Sequence, residues 1–151
     1  MTIQEYLQSL QGKRVAVIGV GVSNTPLIRL LRGADIDVTV CDKKDKAALG
    51  TLADELEAEG CRLHLGKDYL EGLDQDVVFR TPGLHPRYLE AARRRGSQIT
   101  SEMEVFFAVC PCPIIGITGS DGKTTTTTII AGLLRAAGKT VHLGGNIGHP
   151  L

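Results

Sequence analysis

Residues 14–24 read Arg14-Val-Ala-Val-Ile-Gly-Val-Gly-Val-Ser-Asn24, an apolar, β-branched run that leads into a glycine-rich turn. Such a run predicts a buried strand, and the glycines predict a tight turn that a helix follows. The same alternation continues outward, with strands predicted at 37–41, 62–65, 76–79 and 98–100 and helices at 25–32, 47–59, 86–95 and 101–109. Strands that alternate with helices predict an α/β fold built on a Rossmann-like open parallel sheet.

Composition and charge narrow the class of protein. The chain has 151 residues, with 17 basic and 17 acidic side chains and therefore no formal net charge. This balance argues against a nucleic-acid coat or a polybasic membrane binder, because both depend on excess positive charge. The first ten residues lack the pattern of a signal peptide, no apolar run is long enough to cross a membrane, and the four cysteines lack zinc-ligand spacing. We expect a cytoplasmic protein with reduced thiols and no membrane insertion.

The segment Pro111-Cys-Pro113 interrupts the pattern and predicts a domain boundary. Residues 1–110 would form the Rossmann-like domain, and residues 111–151 would begin a second α/β domain with strands at 114–117 and 140–143 around a helix at 123–137. Two parallel strands and one helix do not cover both faces of a sheet, so we expect this second unit to be incomplete. Apolar residues such as Ile129 and Leu133 would then stay uncovered.

A second glycine-rich turn, Gly116-Ile-Thr-Gly-Ser-Asp-Gly-Lys-Thr-Thr125, lies between a predicted strand and a predicted helix. The N–H groups of such a turn and the dipole of the helix favour an anion at one point. The GxxxxGK[ST] pattern would need a glycine where Ile117 stands, so the match is to a shorter GxxGK[ST] form. We predict a phosphate loop in which Lys123 reaches the β- and γ-phosphates of a nucleotide and the Thr124 hydroxyl binds Mg²⁺. The alternative is a glycine-rich turn with an exposed lysine.

The first turn, Gly19-Val-Gly-Val-Ser-Asn24, is similar to the GxGxxG pattern that binds a nucleotide diphosphate, with Asn24 in the place of the third glycine. Asp42 closes the second predicted strand, where an acid would meet a ribose hydroxyl. Taken alone, this pattern indicates the diphosphate of some nucleotide, with NAD as the default. A purely structural turn remains an alternative, as does a helix-capping role for Ser23 and Asn24.

Two other loops follow predicted strands at the same carboxyl edge, where open α/β sheets bind ligands. They are Thr81-Pro-Gly83 and Gly144-Gly-Asn-Ile-Gly148. The glycines would let the backbone approach a ligand, and Asn146 would donate a hydrogen bond. An ordinary loop is the alternative for each of them.

Together, in this order and spacing, these loops resemble those of the bacterial Mur ligases, from about Gly12 to the end of the chain. The resemblance implies that the first domain binds the UDP part of a substrate and that the second begins an ATPase domain. ATP would be held by Gly119, Ser120, Asp121, Gly122, Lys123, Thr124 and Thr125, with Lys123 in a catalytic role and Thr124 on the metal. The UDP-muramoyl substrate would contact Val22, Ser23, Asn24, Asp42, Lys43, Thr81, Pro82, Gly83 and Asn146.

The activity that the resemblance implies is ATP-dependent amide formation in peptidoglycan precursor synthesis. A carboxylate of the UDP-sugar peptide precursor would attack the γ-phosphate of ATP, and the amine of D-glutamate would displace phosphate from the acyl phosphate. The family's other metal ligands, its modified lysine and its third domain would lie beyond Leu151, so we predict no ligase turnover by this chain alone. The alternatives are a stand-alone Rossmann nucleotide- or NAD-binding module with a vestigial phosphate loop, and a P-loop ATPase of the partitioning or signal-recognition kind.

Overall fold

The structure is a computed structural model that describes residues 1–21 and 24–145. It divides into two compact units, Met1–Cys110 and Pro111–Leu151. The first unit contains, in chain order, α1 (Ile3–Ser9), β1 (Arg14–Ile18), α2 (Asn24–Gly33), β2 (Asp37–Asp42), α3 (Lys46–Leu49), α4 (Thr51–Ala58), β3 (Arg62–Leu65), β4 (Val77–Phe79), a 3₁₀ turn (Pro86–Leu89), α5 (Glu90–Arg94), β5 (Gln98–Thr100) and α6 (Glu102–Val109). The second unit contains α7 (Lys123–Ala136).

The first unit is built on one sheet of five parallel strands in the order β3-β2-β1-β4-β5. The central strand β1 pairs with β2 from Arg14↔Asp37 to Ile18↔Cys41 and with β4 from Val15↔Val77 to Val17↔Phe79. After β3 the chain crosses to the other side of β1, so the strand order reverses between β1 and β4. This is the topological switch point, where open α/β sheets form a crevice for a ligand. The predicted α/β fold with an open parallel sheet is confirmed.

Successive residues of β1 point to opposite faces of the sheet, and both faces are buried. Val15 and Val17 belong to one apolar cluster, in which Ile28 of α2 is fully buried. Ala16 and Ile18 belong to a second cluster, which includes Leu89 from the far side of the sheet. Burial on both faces explains why these strands are continuous apolar runs in the sequence.

Two helical predictions need correction, and one helix was not predicted at all. The helix without a prediction is α1, at whose beginning Thr2 and Glu5 form a capping box. The helix predicted at 47–59 is interrupted at Gly50, which has φ +60° and separates α3 from α4. The helix predicted at 86–95 begins as a 3₁₀ turn before α5.

In the second unit the prediction of a helix after the glycine-rich turn is confirmed by α7. The predictions of strands at 114–117 and 140–143 are wrong, since neither segment forms a ladder with any described residue. A strand needs a neighbouring strand to which its backbone N–H and C=O groups can hydrogen-bond. Neither segment has such a neighbour among the described residues. Ile129 and Leu133 of α7 are 57% and 66% exposed, as expected for an uncovered apolar face. Over residues 1–21 and 24–145, no helix combines the length and apolar character that crossing a membrane requires.

Candidate functional site

A cleft opens at the carboxyl edge of the sheet, directly at the switch point. Its volume is about 280 Å³, just below the range of roughly 300–1,000 Å³ for small-molecule sites. The described residues that line it come from the ends of three strands and the beginning of α2: Gly19, Val20, Gly21, Asn24, Asp42, Thr81 and Pro82. The structure therefore brings together four of the predicted substrate-binding residues, Asn24, Asp42, Thr81 and Pro82.

Gly19 and Thr81 lie close to each other in the lining of the cleft. Gly19 has φ +87°, and a Cβ atom placed on it would lie 3.4 Å from the Thr81 Cβ. The Gly19 N–H donates to the Cys41 carbonyl at 2.7 Å, which anchors the turn to β2. The left-handed backbone favours glycine here, because any other residue would be strained, whereas an added Cβ would only come into van der Waals contact with Thr81.

Asp42 holds the glycine turn in place with its carboxylate. Its Oδ2 accepts a hydrogen bond from the Val20 N–H at 2.7 Å, and its Oδ1 accepts one from the Lys44 N–H at 2.8 Å. The side chain is buried at the end of β2. Each carboxylate oxygen keeps one more lone pair, so Asp42 remains able to accept a hydrogen bond from a ligand in the cleft.

Asn24 uses its amide group to join α2 to the end of β1. Its Nδ2 donates to the carbonyls of Ile18 and Gly19, at 2.9 Å in each case. The sequence had suggested a diphosphate contact or a helix-capping role. The observed bonds instead direct the amide nitrogen toward the strand, although the residue also lines the cleft.

Other predicted residues lie elsewhere or outside the described part of the chain. Lys43 and Gly83 are exposed and do not line the cleft. Val22, Ser23 and Asn146 lie outside the described residues. Gly19, Val20 and Gly21 also line the cleft. They belong to the turn that the GxG pattern predicted, although they were not among the residues expected to contact the substrate.

The glycine-rich turn of the second unit ends at the beginning of α7. Gly119 has φ +147° and Gly122 has φ +73°, both in the region that favours glycine. Gly122 is the cap residue of α7 and provides no side-chain hydrogen bond to the helix. Gly122 therefore does not occupy the backbone N–H groups in the first turn of α7. The helix dipole adds positive potential at this end of the helix.

Lys123, the first residue of α7, folds over the turn that precedes it. Its ammonium group donates to the carbonyl oxygens of Gly119 and, at 3.3 Å, of Ser120. The side chain therefore lies beside the same turn whose amides would bind a phosphate. An anion at this position would offer Lys123 stronger, charge-assisted hydrogen bonds than the two carbonyls do.

The threonine run is accommodated by hydrogen bonds back to the helix. Thr127 and Thr128 donate through Oγ1 to the carbonyls of Lys123 and Thr124, at 2.7 and 2.8 Å. This is the i−4 bonding that lets a hydroxyl residue occupy a helix. Ser120, Asp121, Thr124 and Thr125 are exposed around the turn.

The described residues contain no cluster of three or more His, Cys, Asp or Glu that would hold a metal ion by itself. A magnesium ion bound by one hydroxyl, phosphate oxygens and water needs no such cluster. The exposed Thr124 hydroxyl at the first turn of α7 fits that donor set. When bound, Mg²⁺ supplies charge neutralisation to the phosphates of a nucleotide.

The chain is similar in sequence to curated ligases from several bacteria. The chain is 47% identical over 154 residues to the UDP-N-acetylmuramoylalanine–D-glutamate ligase of Clostridium novyi (strain NT), a match that covers 99% of this chain and 33% of that protein. It is 49% identical over 142 residues to the enzyme of the same name from Symbiobacterium thermophilum, with 92% of this chain and 31% of that protein covered. This chain is related to the Mur ligases. The resemblance inferred from the glycine-rich loops is confirmed.

The chain spans about a third of the length of these curated relatives. Among solved structures it is similar to a pseudomurein peptide ligase type C from Methanothermus fervidus, with a TM-score of 0.50 and 26% identity over 84% of this chain and 27% of that one. No family model matches the chain. The similarity to Mur-type peptide ligases therefore appears both in sequence and in fold.

Proposed function

We propose that the chain is the part of a Mur-type ligase that binds the UDP-muramoyl substrate and the phosphates of ATP. Residues 1–110 would hold the UDP part in the cleft at the switch point, and residues 111–151 would begin the ATP-binding domain. The observation that carries this proposal is the cleft itself, in which the glycine turn, the Asp42 carboxylate and Thr81-Pro82 converge from three strands. The similarity to UDP-N-acetylmuramoylalanine–D-glutamate ligases supports the choice of substrate.

The reaction we propose for the whole ligase joins D-glutamate to UDP-N-acetylmuramoyl-L-alanine. A carboxylate oxygen of the precursor bonds to the γ-phosphorus of ATP, and ADP leaves, which gives an acyl phosphate. The amine of D-glutamate then bonds to the acyl carbon, phosphate leaves and the amine loses a proton. This chain would contribute Lys123, whose ammonium group neutralises charge on the transferring phosphoryl group. We further propose that the chain alone gives no turnover.

The substrate half of the proposal is tested by ligand-induced stabilisation. UDP and NAD are added separately to the purified chain, and the thermal midpoint is recorded, since a ligand that binds only the native state raises it. We expect UDP to raise the midpoint and NAD to leave it unchanged. A rise with NAD and none with UDP would instead make the first unit a dinucleotide-binding module.

The ATP half is tested at Lys123. Loss of one charge-assisted contact to a phosphate should weaken the affinity of Lys123→Ala for Mg·ATP by about tenfold or more. Lys139→Ala is the matched control, because Lys139 follows the end of α7 and is exposed. Isothermal titration calorimetry measures both variants. Equal affinities in Lys123→Ala and the unmodified chain would contradict the phosphate-loop assignment.

A further inference from the structure

Asn24 belongs to the lining of the cleft at the beginning of α2, and only 6% of the residue is exposed. Both hydrogens of its amide nitrogen are in use, because Nδ2 donates to the carbonyl oxygens of Ile18 and Gly19 at 2.9 Å each. A carbonyl oxygen only accepts hydrogen bonds, so these two contacts establish which end of the amide is the nitrogen. The amide nitrogen therefore faces the end of β1, and Oδ1 is the end that remains for other contacts.

The amide oxygen of Asn24 has no partner within the described part of the chain. None of these residues donates a hydrogen bond to Oδ1. The side-chain atoms that are fully buried without a partner among them are the Tyr6 hydroxyl oxygen and Glu59 Oε2, and Asn24 Oδ1 is not one of them. Oδ1 therefore keeps access to the open side of the residue, which is the cleft. An acceptor in this position is available to a ligand that brings a donor.

The Asp42 carboxylate is a second acceptor in the same lining. Each of its oxygens has one protein donor, the N–H of Val20 or of Lys44, and keeps a lone pair for a ligand. Asp42 is also the one ionisable side chain among the described residues of the lining, so its charge is not offset there. The two side chains thus favour a hydroxyl or N–H group of a ligand and repel a phosphate.

The backbone amides of the glycine turn are already largely bonded to the protein. The Gly19 N–H donates to the Cys41 carbonyl and the Val20 N–H to Asp42 Oδ2, both at 2.7 Å. Of the three described amides of the turn, the Gly21 N–H alone has no acceptor among the described residues. A phosphate is bound by several free N–H groups that point to one place, and this part of the turn does not provide them.

We propose that Asn24 determines specificity for the nucleoside part of the substrate, with Oδ1 accepting a hydrogen bond from a ribose hydroxyl or from the N3–H of the uracil ring. The diphosphate then lies away from Asn24 and Asp42, where neither acceptor repels it. The inference rests on the proposed function of the first unit. It changes the role that the glycine pattern suggested for Asn24 from a contact with the diphosphate to an acceptor for the nucleoside.

The test is titration calorimetry on the full 151-residue chain with UDP and with three analogues that each lack one nucleoside donor, 2′-deoxy-UDP, 3′-deoxy-UDP and N3-methyl-UDP. Asn24→Ala removes Oδ1 and should weaken UDP binding by about fivefold or more, which corresponds to loss of one hydrogen bond. The analogue that lacks the partner donor should bind the unmodified chain and Asn24→Ala with equal affinity, because the bond is absent from both complexes.

Two further variants separate this effect from a loss of structure. Asn24→Gly restores the third glycine of the GxGxxG pattern, so it removes Oδ1 with a residue that this kind of turn accommodates, and it should repeat the result of Asn24→Ala. Gln11→Ala is the matched control, because Gln11 Nε2 donates to the Ala34 carbonyl at 2.7 Å but Gln11 does not line the cleft. It should bind UDP and the analogues as the unmodified chain does. Thermal midpoints report whether each variant is folded.

The pattern across the ligands decides the outcome. An equal weakening of UDP and of all three analogues by Asn24→Ala and Asn24→Gly would overturn the inference in favour of a purely structural role. UDP affinity that is unchanged or higher in these variants would also overturn it, while leaving the proposed function intact. Absence of UDP binding by the unmodified chain would remove the proposed substrate and the inference together.

Discussion

The Asp42 carboxylate accepts a 2.7 Å hydrogen bond from the backbone N–H of Val20, so the end of β2 holds the turn that follows β1. Together with the bond from the Lys44 N–H, this fixes a negative side chain beside the glycine turn. Asp42 stands where a Rossmann domain has the acid that binds the ribose, and here its carboxylate also holds the shape of the turn. Any ligand contact made by Asp42 is made by a side chain that is already oriented.

Asp42→Asn should lower the free energy of unfolding by about 1–3 kcal/mol, because the amide NH₂ would face one of two N–H donors and leave it unsatisfied. Urea denaturation monitored by circular dichroism measures the change. Asp68→Asn is the control, since Asp68 is exposed and its side chain makes no hydrogen bond to a described residue; its effect should stay within about 0.5 kcal/mol. If the two variants were equally stable, the Asp42 bonds would contribute nothing to the turn.

Asn24→Asp should destabilise the first unit more than Asn24→Ala does. The aspartate would place a carboxylate oxygen where Nδ2 now donates to the carbonyls of Ile18 and Gly19, whereas alanine only removes the donor. We expect a loss of about 1–3 kcal/mol for alanine and a larger loss for aspartate, measured by urea denaturation. Gln4→Glu makes the same amide-to-acid exchange at an exposed position and should be nearly neutral. The reverse order for the two Asn24 variants would show that Nδ2 does not face the carbonyls.

Gly19→Ala and Gly33→Ala should change stability in opposite directions. At Gly19 the backbone has φ +87°, a conformation that a residue with a Cβ adopts only with strain, so we expect a loss of about 1–2 kcal/mol. Gly33 ends α2 with no positive φ and with nothing within 4 Å of an added Cβ, so alanine should add up to about 1 kcal/mol. Thermal unfolding of the two variants checks the signs. A stabilising Gly19→Ala would mean that the turn relaxes easily and that its shape is not set by glycine.

Ionisation of the buried Tyr6 hydroxyl should make the protein less stable at high pH. Burial raises the pKa of its hydroxyl from 10.0 to about 12, so the folded state retains the proton longer than the unfolded state does. The contribution of this protonated hydroxyl to the free energy of unfolding is complete below pH 10 and is lost as the pH rises from 10 to 12. Tyr6→Phe should remove this part of the alkaline loss, as measured by urea denaturation across that pH range.

The same substitution has an expected effect at neutral pH. The Tyr6 hydroxyl oxygen is buried without a hydrogen-bond partner among the described residues, so Tyr6→Phe should leave stability unchanged or raise it by up to about 1 kcal/mol. Tyr88→Phe is the control for removal of a hydroxyl at an exposed tyrosine, where the hydroxyl accepts a hydrogen bond from Arg87. A marked destabilisation by Tyr6→Phe would mean that the hydroxyl makes a bond in solution.

The sheet of the first unit was predictable because each strand is a short apolar run that is buried on both faces, as Val15 to Ile18 illustrate. Helix α1 was missed because it buries little, and its beginning depends on the local Thr2–Glu5 capping box. The strands predicted in the second unit failed for a different reason. Apolar character indicates what a segment such as 114–117 would bury, but a strand also needs a neighbour, and a sequence window does not contain one.

The candidate site was predictable where backbone geometry depends on residue type and less so where it depends on side-chain partners. The GxG spacing indicated a turn, and the structure has left-handed φ at Gly19 and a cleft beside it. The bonds of Asp42 to Val20 and of Asn24 to Ile18 connect elements that fold together only in three dimensions.

The junction of β1 with β4 is the shortest contact that the central strand makes, extending from Val15↔Val77 to Val17↔Phe79, whereas its pairing with β2 extends over all of β1. The cleft lies across that junction, with the glycine turn on one side and Thr81 on the other. A ligand in the cleft would contact residues on both sides of this junction and hold the two halves of the sheet together. The backbone amides of β4 and β5 would then exchange with solvent more slowly. Binding would thereby reduce local opening in strands that do not contact the ligand themselves.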